Sequence, residues 1–185
     1  MIDDEISVTE QVEDIYPSRT SPQATVTPRK DPVVYANDFA NAPIKAELVE
    51  QYQQQGFLIL EGVFSETEVC EFQQELGRLC QHESIKTKAE AFTEKDSADV
   101  RSIFRVHELS PVFERLSRDP RTLALARYLL ADDVYIHQSR LNYKPGFRGK
   151  EFYWHSDFET WHVEDGMPRM RALSIRSFTA GGWWI

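Results

Sequence analysis

A short segment rich in imidazole, carboxylate and aromatic side chains spans residues 151–162. Eight consecutive positions of this segment contain two imidazoles and two carboxylates: His155, Asp157, Glu159 and His162. We predict a strand that starts near Glu151, and residues i and i+2 of a strand point to the same side. His155 and Asp157 would then coordinate one metal ion from the same side. Such a pair forms the first part of a 2-His-1-carboxylate facial triad, which leaves coordination positions open for an oxidant and a co-substrate.

The His-x-Asp pair has other interpretations. An exposed strand with a hydrogen-bonded His155 would show the same spacing. His162 could instead supply the imidazole of a different metal site, together with Asp157 or Glu159. The remaining histidines are isolated in the sequence, and we interpret them as surface or hydrogen-bonded side chains: His82, His107 and His137.

A second predicted strand covers residues 134–144 and alternates in polarity. Its even positions include four polar residues on one face: Gln138, Arg140, Asn142 and Lys144. This polar face either meets solvent or lines an interior that recognises small charged molecules. In the second interpretation Lys144 would meet a carboxylate, while Gln138 would donate to and accept from an amide-like or amidine-like substrate.

Helical patterns precede these strands. Gly56 is a natural stop for a helix in which Ile44, Leu48 and Tyr52 recur at helical spacing. Residues 65–68 match a capping box, and they open a helix with a continuous apolar stripe. A third helix begins after Asp119, with Pro120 at its first position, and continues to Leu130.

Helices in the first half and strands in the second predict an α+β fold, with helices packed on an antiparallel sheet. The short apolar run 57–60 is predicted to be an additional strand, and the polar stretch 83–100 a solvated excursion. Residues 1–40 carry four prolines and no sustained apolar period, which indicates an extended N-terminal arm. We assign residues 41–185 to one domain.

Composition excludes several classes of protein. The chain has 21 Lys and Arg against 30 Asp and Glu, a net charge of −9, which argues against nucleic-acid binding. No apolar run is long enough to span a bilayer, and the N-terminus lacks a signal-peptide pattern. Cys70 and Cys80 imply no disulfide framework. We therefore expect a soluble, cytoplasmic protein with neither nucleic-acid nor membrane partners.

Three runs of sequence, 137–147, 152–162 and 164–174, resemble the ectoine hydroxylase family. Two upstream segments, 14–19 and 31–35, are similar to the N-terminal segment of that family. The family belongs to the phytanoyl-CoA dioxygenase-like branch of the Fe(II)- and 2-oxoglutarate-dependent dioxygenases. The resemblance implies a double-stranded β-helix (a cupin-like jelly roll) flanked by helices. It also implies that ectoine is hydroxylated to 5-hydroxyectoine with oxygen, and that succinate and carbon dioxide are released.

The resemblance assigns roles to seven positions. It makes His155 and Asp157 iron ligands. Residues near 2-oxoglutarate would be Lys144, Phe152 and Thr160, and residues near ectoine would be Gln138 and Trp161. We expect Fe(II), 2-oxoglutarate and oxygen as cofactor and co-substrates.

The match to the family ends near Ile175, and no histidine follows His162 to serve as the third ligand. We therefore predict a partial jelly roll without its C-terminal strands, a tail at 176–185 unlike the family, and no activity of the chain by itself.

Two alternatives remain open. One is a related dioxygenase acting on another small zwitterion such as proline, and the other is a non-enzymatic fragment that associates with other chains. The sequence leaves the oligomeric state open, with a homodimer among the allowed states.

Overall fold

The computed structural model describes residues 14–93, 100–142, 155–179 and 182–184, with the backbone alone at 178–179 and 182–184. Its α-helices are α1 (Ala46–Gln55), α2 (Glu66–Gln81), α3 (Glu83–Lys86), α4 (Val106–Leu109), α5 (Pro111–Ser117), α6 (Pro120–Leu130) and α7 (Asp157–Glu164). Its strands are β1 (Ala91–Thr93), β2 (Val100–Phe104), β3 (Arg140–Asn142), β4 (Ser177–Thr179) and β5 (Gly182–Trp184). Short 3-10 helices form at Pro17–Arg19 and Phe39–Asn41.

The chain divides into two compact units. The smaller comprises Met1–Asp31 and Tyr153–Ala172, and the larger comprises Pro32–Phe152 and Leu173–Ile185. Helix α7 and the described part of the N-terminal arm up to Asp31 thus belong to the smaller unit, while the sheet and the other α-helices belong to the larger. The predicted boundary between residues 40 and 41 stays a prediction.

The strands of the larger unit form one sheet in the order β1-β2-β3-β5-β4, and each neighbouring pair is antiparallel. Ile103 of β2 lies opposite Leu141 of β3, and Leu141 lies opposite Trp184 of β5. Helices together with a small antiparallel sheet confirm the α+β class.

The main core of the larger unit lies where helix α2 meets the sheet. One face of α2 is buried, as the predicted apolar stripe requires. It joins Ile103 and Leu141 from the centre of the sheet, with Phe113 from α5. A second cluster gathers Val34, Val49 of α1 and Leu129 of α6, so the segment around Val34 is held against the helices.

The predicted helix boundaries are confirmed by their capping contacts. The Ser65 hydroxyl accepts from the Glu68 amide at 3.3 Å, and the Glu68 carboxylate accepts from the Ser65 amide at 2.7 Å. Gly56 ends α1 with a left-handed backbone (φ 76°), which glycine adopts without a steric cost. The Asp119 side chain accepts from the Arg121 amide and opens α6.

Two of the predicted strands are wrong over much of their length. Residues 134–139 form no strand, and β3 begins only at Arg140. The reason lies in the neighbouring strand: β2 ends at Phe104, and Arg105 turns into a left-handed conformation (φ 53°) that leads into α4. Residues 57–60 also lack regular structure, and within the described chain no strand pairs with them. The polar stretch 83–100, predicted to be a solvated excursion, contains α3 and β1.

No helix within the described ranges is long and apolar enough to cross a membrane.

Candidate metal centre

The sequence predicts a strand through His155 and Asp157. For the part that the structure describes, this prediction is wrong, because helix α7 starts at Asp157. Local sequence explains the helix. Asp157 and Glu159 place negative charge in the first turn, where the helix dipole favours it. Phe158 and His162, four residues apart, form its buried face. Residues 151–154, the rest of that predicted strand, lie outside the described residues.

The structure nevertheless brings the two predicted ligands together. His155 Nε2 lies 3.3 Å from Asp157 Oδ1. A ligand atom lies about 2.1 Å from a first-row divalent ion. Two ligand atoms in neighbouring coordination positions are therefore about 3 Å apart. Their side chains are 55% and 36% exposed, so an ion can reach them from solvent. The pair therefore fits two protein ligands of one metal ion.

Within the described ranges, no group of three His, Cys, Asp or Glu side chains is arranged to hold a metal. His162, the alternative imidazole, is completely buried and both its ring nitrogens have partners. Nδ1 lies 2.6 Å from the Met167 carbonyl oxygen. Nε2 lies 3.1 Å from Asp14 Oδ1 and 3.1 Å from Arg19 Nε. No nitrogen of His162 is left open for a metal ion in this arrangement.

Asp14 and Arg19 form an ion pair beside His162, with Arg19 Nε 2.9 Å from Asp14 Oδ2. Desolvation alone would raise the pKa of the Asp14 carboxyl. Hydrogen bonds from the Tyr16 amide and from Arg19, together with the nearby imidazole of His162, outweigh it and hold that pKa below its ordinary value. Asp14 is thus a stable anionic partner for the buried imidazole.

Aromatic contacts complete the packing of α7 against the N-terminal segment. Tyr16 meets Phe158 edge-on, with ring centroids 4.7 Å apart, and it meets His162 at 5.5 Å. Phe158 stacks on His162 at 5.3 Å. The Tyr16 hydroxyl contacts the Asp31 carboxylate, and it accepts from the Met170 amide at 3.1 Å. Tyr16 therefore holds this part of the arm against α7.

The other predicted site residues are placed as follows. Thr160 is exposed and Trp161 is half-buried, both on α7. Gln138 is exposed in the irregular segment before β3, in the larger unit. Asn142 of the predicted polar face accepts from the Ser102 hydroxyl at 2.8 Å, so at least this polar residue of β3 is used within the sheet. Lys144 and Phe152 lie outside the described residues.

Asp14 and Arg19, which contact His162, are residues of the smaller unit to which the sequence assigned no role. The available signal was weak: an acid and a base that flank a Tyr-Pro pair in an arm otherwise rich in Ser, Thr and Pro. Nothing local indicates that their partner is an imidazole 143 positions away from Arg19.

Comparison with known sequences identifies the class of protein. The family model described as Phytanoyl-CoA dioxygenase (PhyH) matches residues 52–183. The chain belongs to this family. The match extends into the segment 176–185, for which the sequence predicts a departure from the family.

The similar curated relatives are more specific. The chain is 52% identical to the ectoine dioxygenase of Stutzerimonas stutzeri over 161 residues, which cover 87% of the chain and 53% of that protein. It is 55% identical to the ectoine dioxygenase of Bordetella bronchiseptica over 163 residues, which cover 88% of the chain and 53% of that protein. The chain thus spans about half the length of the curated relatives it matches.

Solved structures agree with these relatives. The chain resembles the crystal structure of EctD from S. alaskensis with bound Fe, with a TM-score of 0.80 and 52% identity over 86% of the chain and 57% of that protein. It resembles EctD from the same organism with 2-oxoglutarate and 5-hydroxyectoine, with a TM-score of 0.81 over 86% of the chain and 56% of that protein.

Proposed function

We propose that the chain provides the first two iron ligands of an ectoine hydroxylase, which converts ectoine to 5-hydroxyectoine with 2-oxoglutarate and oxygen. The observation that carries this proposal is 52–55% identity to ectoine dioxygenases over nearly nine tenths of the chain. The S. alaskensis neighbours, which hold Fe, 2-oxoglutarate and 5-hydroxyectoine, support the same reaction.

His155 and Asp157 are the proposed ligands, and their 3.3 Å separation suits one ion. An imidazole and a carboxylate form part of the donor set that non-haem Fe(II) oxygenases use. Bound iron would supply the activation of oxygen, coupled to decarboxylation of 2-oxoglutarate. The protein positions the metal and the substrate. Asp157 contributes a negative charge, and its place at the start of a helix limits its backbone freedom.

The remaining assignments are also proposals. Gln138 would hydrogen-bond to ectoine as both donor and acceptor, and Trp161 would offer an aromatic wall beside it. Lys144, Phe152 and Thr160 would lie near 2-oxoglutarate, with the Lys144 ammonium facing a carboxylate. Trp161 and Thr160 share helix α7 with Asp157. This common helix supports their assignment to one site.

The antiparallel sheet of the larger unit is proposed to form part of a double-stranded β-helix. Support comes from the TM-scores of 0.80 and 0.81 with the S. alaskensis structures.

Assembly into a homodimer and a cytoplasmic location also remain proposals. Light scattering after size-exclusion chromatography tests the first, and cell fractionation tests the second.

The activity test uses two proteins, because the chain spans about half of its relatives. One is the 185-residue chain. The other is a chimera in which residues 1–175 continue into the C-terminal part of the S. alaskensis ectoine dioxygenase. Each receives Fe(II), 2-oxoglutarate, ascorbate and ectoine, and succinate and 5-hydroxyectoine are measured. We expect ectoine-dependent turnover by the chimera and none by the chain alone.

Variants of the chimera test the two ligands. Asp157→Ala and His155→Ala should each abolish turnover, since each removes a ligand of the ion. Exposed His82 offers a matched control, and His82→Ala should leave turnover unchanged. Turnover of proline without turnover of ectoine would contradict the proposed substrate. Full activity of Asp157→Ala would contradict the proposed iron site.

A further inference from the structure

We propose that His162 is a positioning residue for the metal-binding pair. It fastens helix α7 to residues 14–19, and through this contact it holds Asp157 opposite His155. The inference rests on the proposed function, because it takes Asp157 as a metal ligand. It assigns to the N-terminal segment a part in building the metal centre.

The first step is that His162 is a polar side chain buried without any solvent contact. Such a group is stable only when its polar atoms are hydrogen-bonded. The Met167 carbonyl can only accept, so Nδ1 must carry a proton and donate to it over 2.6 Å. Gly166, with φ 71°, makes the turn that leads the chain from the end of α7 to Met167.

The second step concerns Nε2, which faces the N-terminal segment. It can donate to Asp14 Oδ1 or accept from Arg19 Nε, each 3.1 Å away. Either choice gives one hydrogen bond between α7 and residues 14–19. A hydrogen bond between α7 and this segment therefore forms whether the imidazole is neutral or protonated. Among the described residues, the charged side chains in contact with the ring are Asp14 and Arg19, which also bind each other.

The third step links this contact to Asp157. Phe158 and His162 form the buried face of α7, and Tyr16 packs on both rings. Asp157 directly precedes Phe158 on the same rigid helix, about 7.5 Å along its axis from His162 at 1.5 Å per residue. A rotation or shift of α7 that releases His162 would therefore move Asp157 relative to His155, which lies outside the helix.

The experiment is a cobalt titration of the 185-residue chain, because Co(II) reports ligand number and geometry in its visible spectrum. Binding constant and stoichiometry are measured for the wild type, His162→Ala and His162→Gln. We expect His162→Ala to weaken binding about tenfold, in the range that partners beyond the ligands usually contribute. His162→Gln, which can still donate and accept, should recover part of the loss. Val163→Ala, at an exposed neighbour on the same helix, is the control and should bind like the wild type.

A second variant covers the case in which His162→Ala does not fold. Asp14→Ala combined with Arg19→Ala removes the other side of the contact and leaves α7 intact, and it should weaken cobalt binding by a similar factor. Circular dichroism checks that each variant is folded at the titration temperature. Wild-type affinity and spectrum in a folded His162→Ala and in the Asp14/Arg19 variant would overturn the positioning role.

His155→Ala separates this inference from the proposed function. If His155→Ala loses the cobalt spectrum while His162→Ala keeps it, the metal site stands and the positioning role is wrong. If His155→Ala binds cobalt like the wild type, the metal site is wrong and the positioning role is overturned with it. A loss of stoichiometry at unchanged affinity in His162→Ala would indicate a merely structural role and would also contradict the inference.

Discussion

At the scale of single residues, the two thiols of the chain differ in their surroundings. Cys80 lies half-buried against the core of the larger unit, and burial raises the pKa of its thiol to about 11. Cys70 is exposed on the same helix, α2. Since the thiolate is the reactive form, Cys80 is almost entirely in its unreactive thiol form at pH 8.

This difference predicts the order of alkylation. Iodoacetamide at pH 8 should label Cys70 first and Cys80 much more slowly, which mass spectrometry of the two peptides would show. In concentrated urea the two rates should converge, because unfolding removes the burial of Cys80. Equal rates in the native protein would contradict the placement of Cys80.

A second residue-scale prediction concerns Leu141, which is buried at the centre of the sheet opposite Ile103. Leu141→Ala should lower the free energy of unfolding by about 2–5 kcal/mol, because it removes buried methyl groups and leaves a cavity. Ile59→Ala is the matched control: Ile59 is 72% exposed, so its truncation should change little. Urea denaturation followed by tryptophan fluorescence measures both. A loss for Leu141→Ala no larger than that for Ile59→Ala would contradict the core.

At the scale of elements, the start of α2 is tied to α6 by charged side chains. Arg121 lies 2.6 Å from Glu68 and 2.6 Å from Asp119, and its guanidinium covers the ring of Phe64 at 4.5 Å. It also donates to the Val63 carbonyl at 2.7 Å. The capping box of α2 is thus part of a contact between two helices.

Ser65→Ala removes the acceptor of the Glu68 amide at this helix start. We expect a loss of about 1 kcal/mol in the free energy of unfolding, the usual cost of deleting an N-cap hydroxyl. Thr67→Ala, at an exposed position in the same turn, should cost nothing, since alanine is the better helix former. Urea denaturation of the two variants distinguishes the cap from the general effect of a lost hydroxyl.

Local signals explain which elements the sequence could predict. Gly56, the Ser65 capping box and Asp119-Pro120 act within a few residues, so the helix ends that they mark are correct. Strands need a partner that local sequence does not reveal. The predicted strand 134–144 shrinks to three described residues because its neighbour β2 already ends at Phe104.

The candidate site shows the same limit. The pairing of His155 with Asp157 was predicted from strand geometry, yet the structure achieves it at the start of a helix. The helix had its own local signals, namely acidic residues in the first turn and the pair Phe158 and His162. The burial of His162 could not be predicted, because it depends on partners at the other end of the chain.

At the scale of the whole molecule, several carboxyl groups have a pKa below their ordinary values because they are paired. Hydrogen bonds from Arg121, and then from Ser65, lower the pKa of Glu68 to about 2. Asp14, Glu75, Glu108 and Asp119 shift in the same direction, each with an arginine partner. These groups are ionised in the folded chain at pH values where the unfolded chain already binds protons.

The sign of the pH dependence follows. A lowered folded-state pKa stabilises the fold above the unfolded value, near 4.5 for Glu68, and this stabilisation disappears as the pH falls towards 2. Urea denaturation at pH 7, 5 and 3 should therefore show stability falling mainly below pH 5. Glu68→Gln should flatten part of this fall, while Glu61→Gln at an exposed site should not. An identical pH profile for Glu68→Gln and the wild type would contradict the role of the Arg121 pair.

The smaller unit consists of two stretches that are far apart in the sequence. Its two halves are therefore synthesised at different times. Arg19 emerges from the ribosome first, yet its partner His162 follows 143 positions later. At about 5–20 residues per second, the first stretch waits roughly 7–30 seconds for the second. During that wait Tyr16 has no Phe158 to cover it. Chaperones that bind nascent chains would find an aromatic target next to a proline in the first of the two stretches.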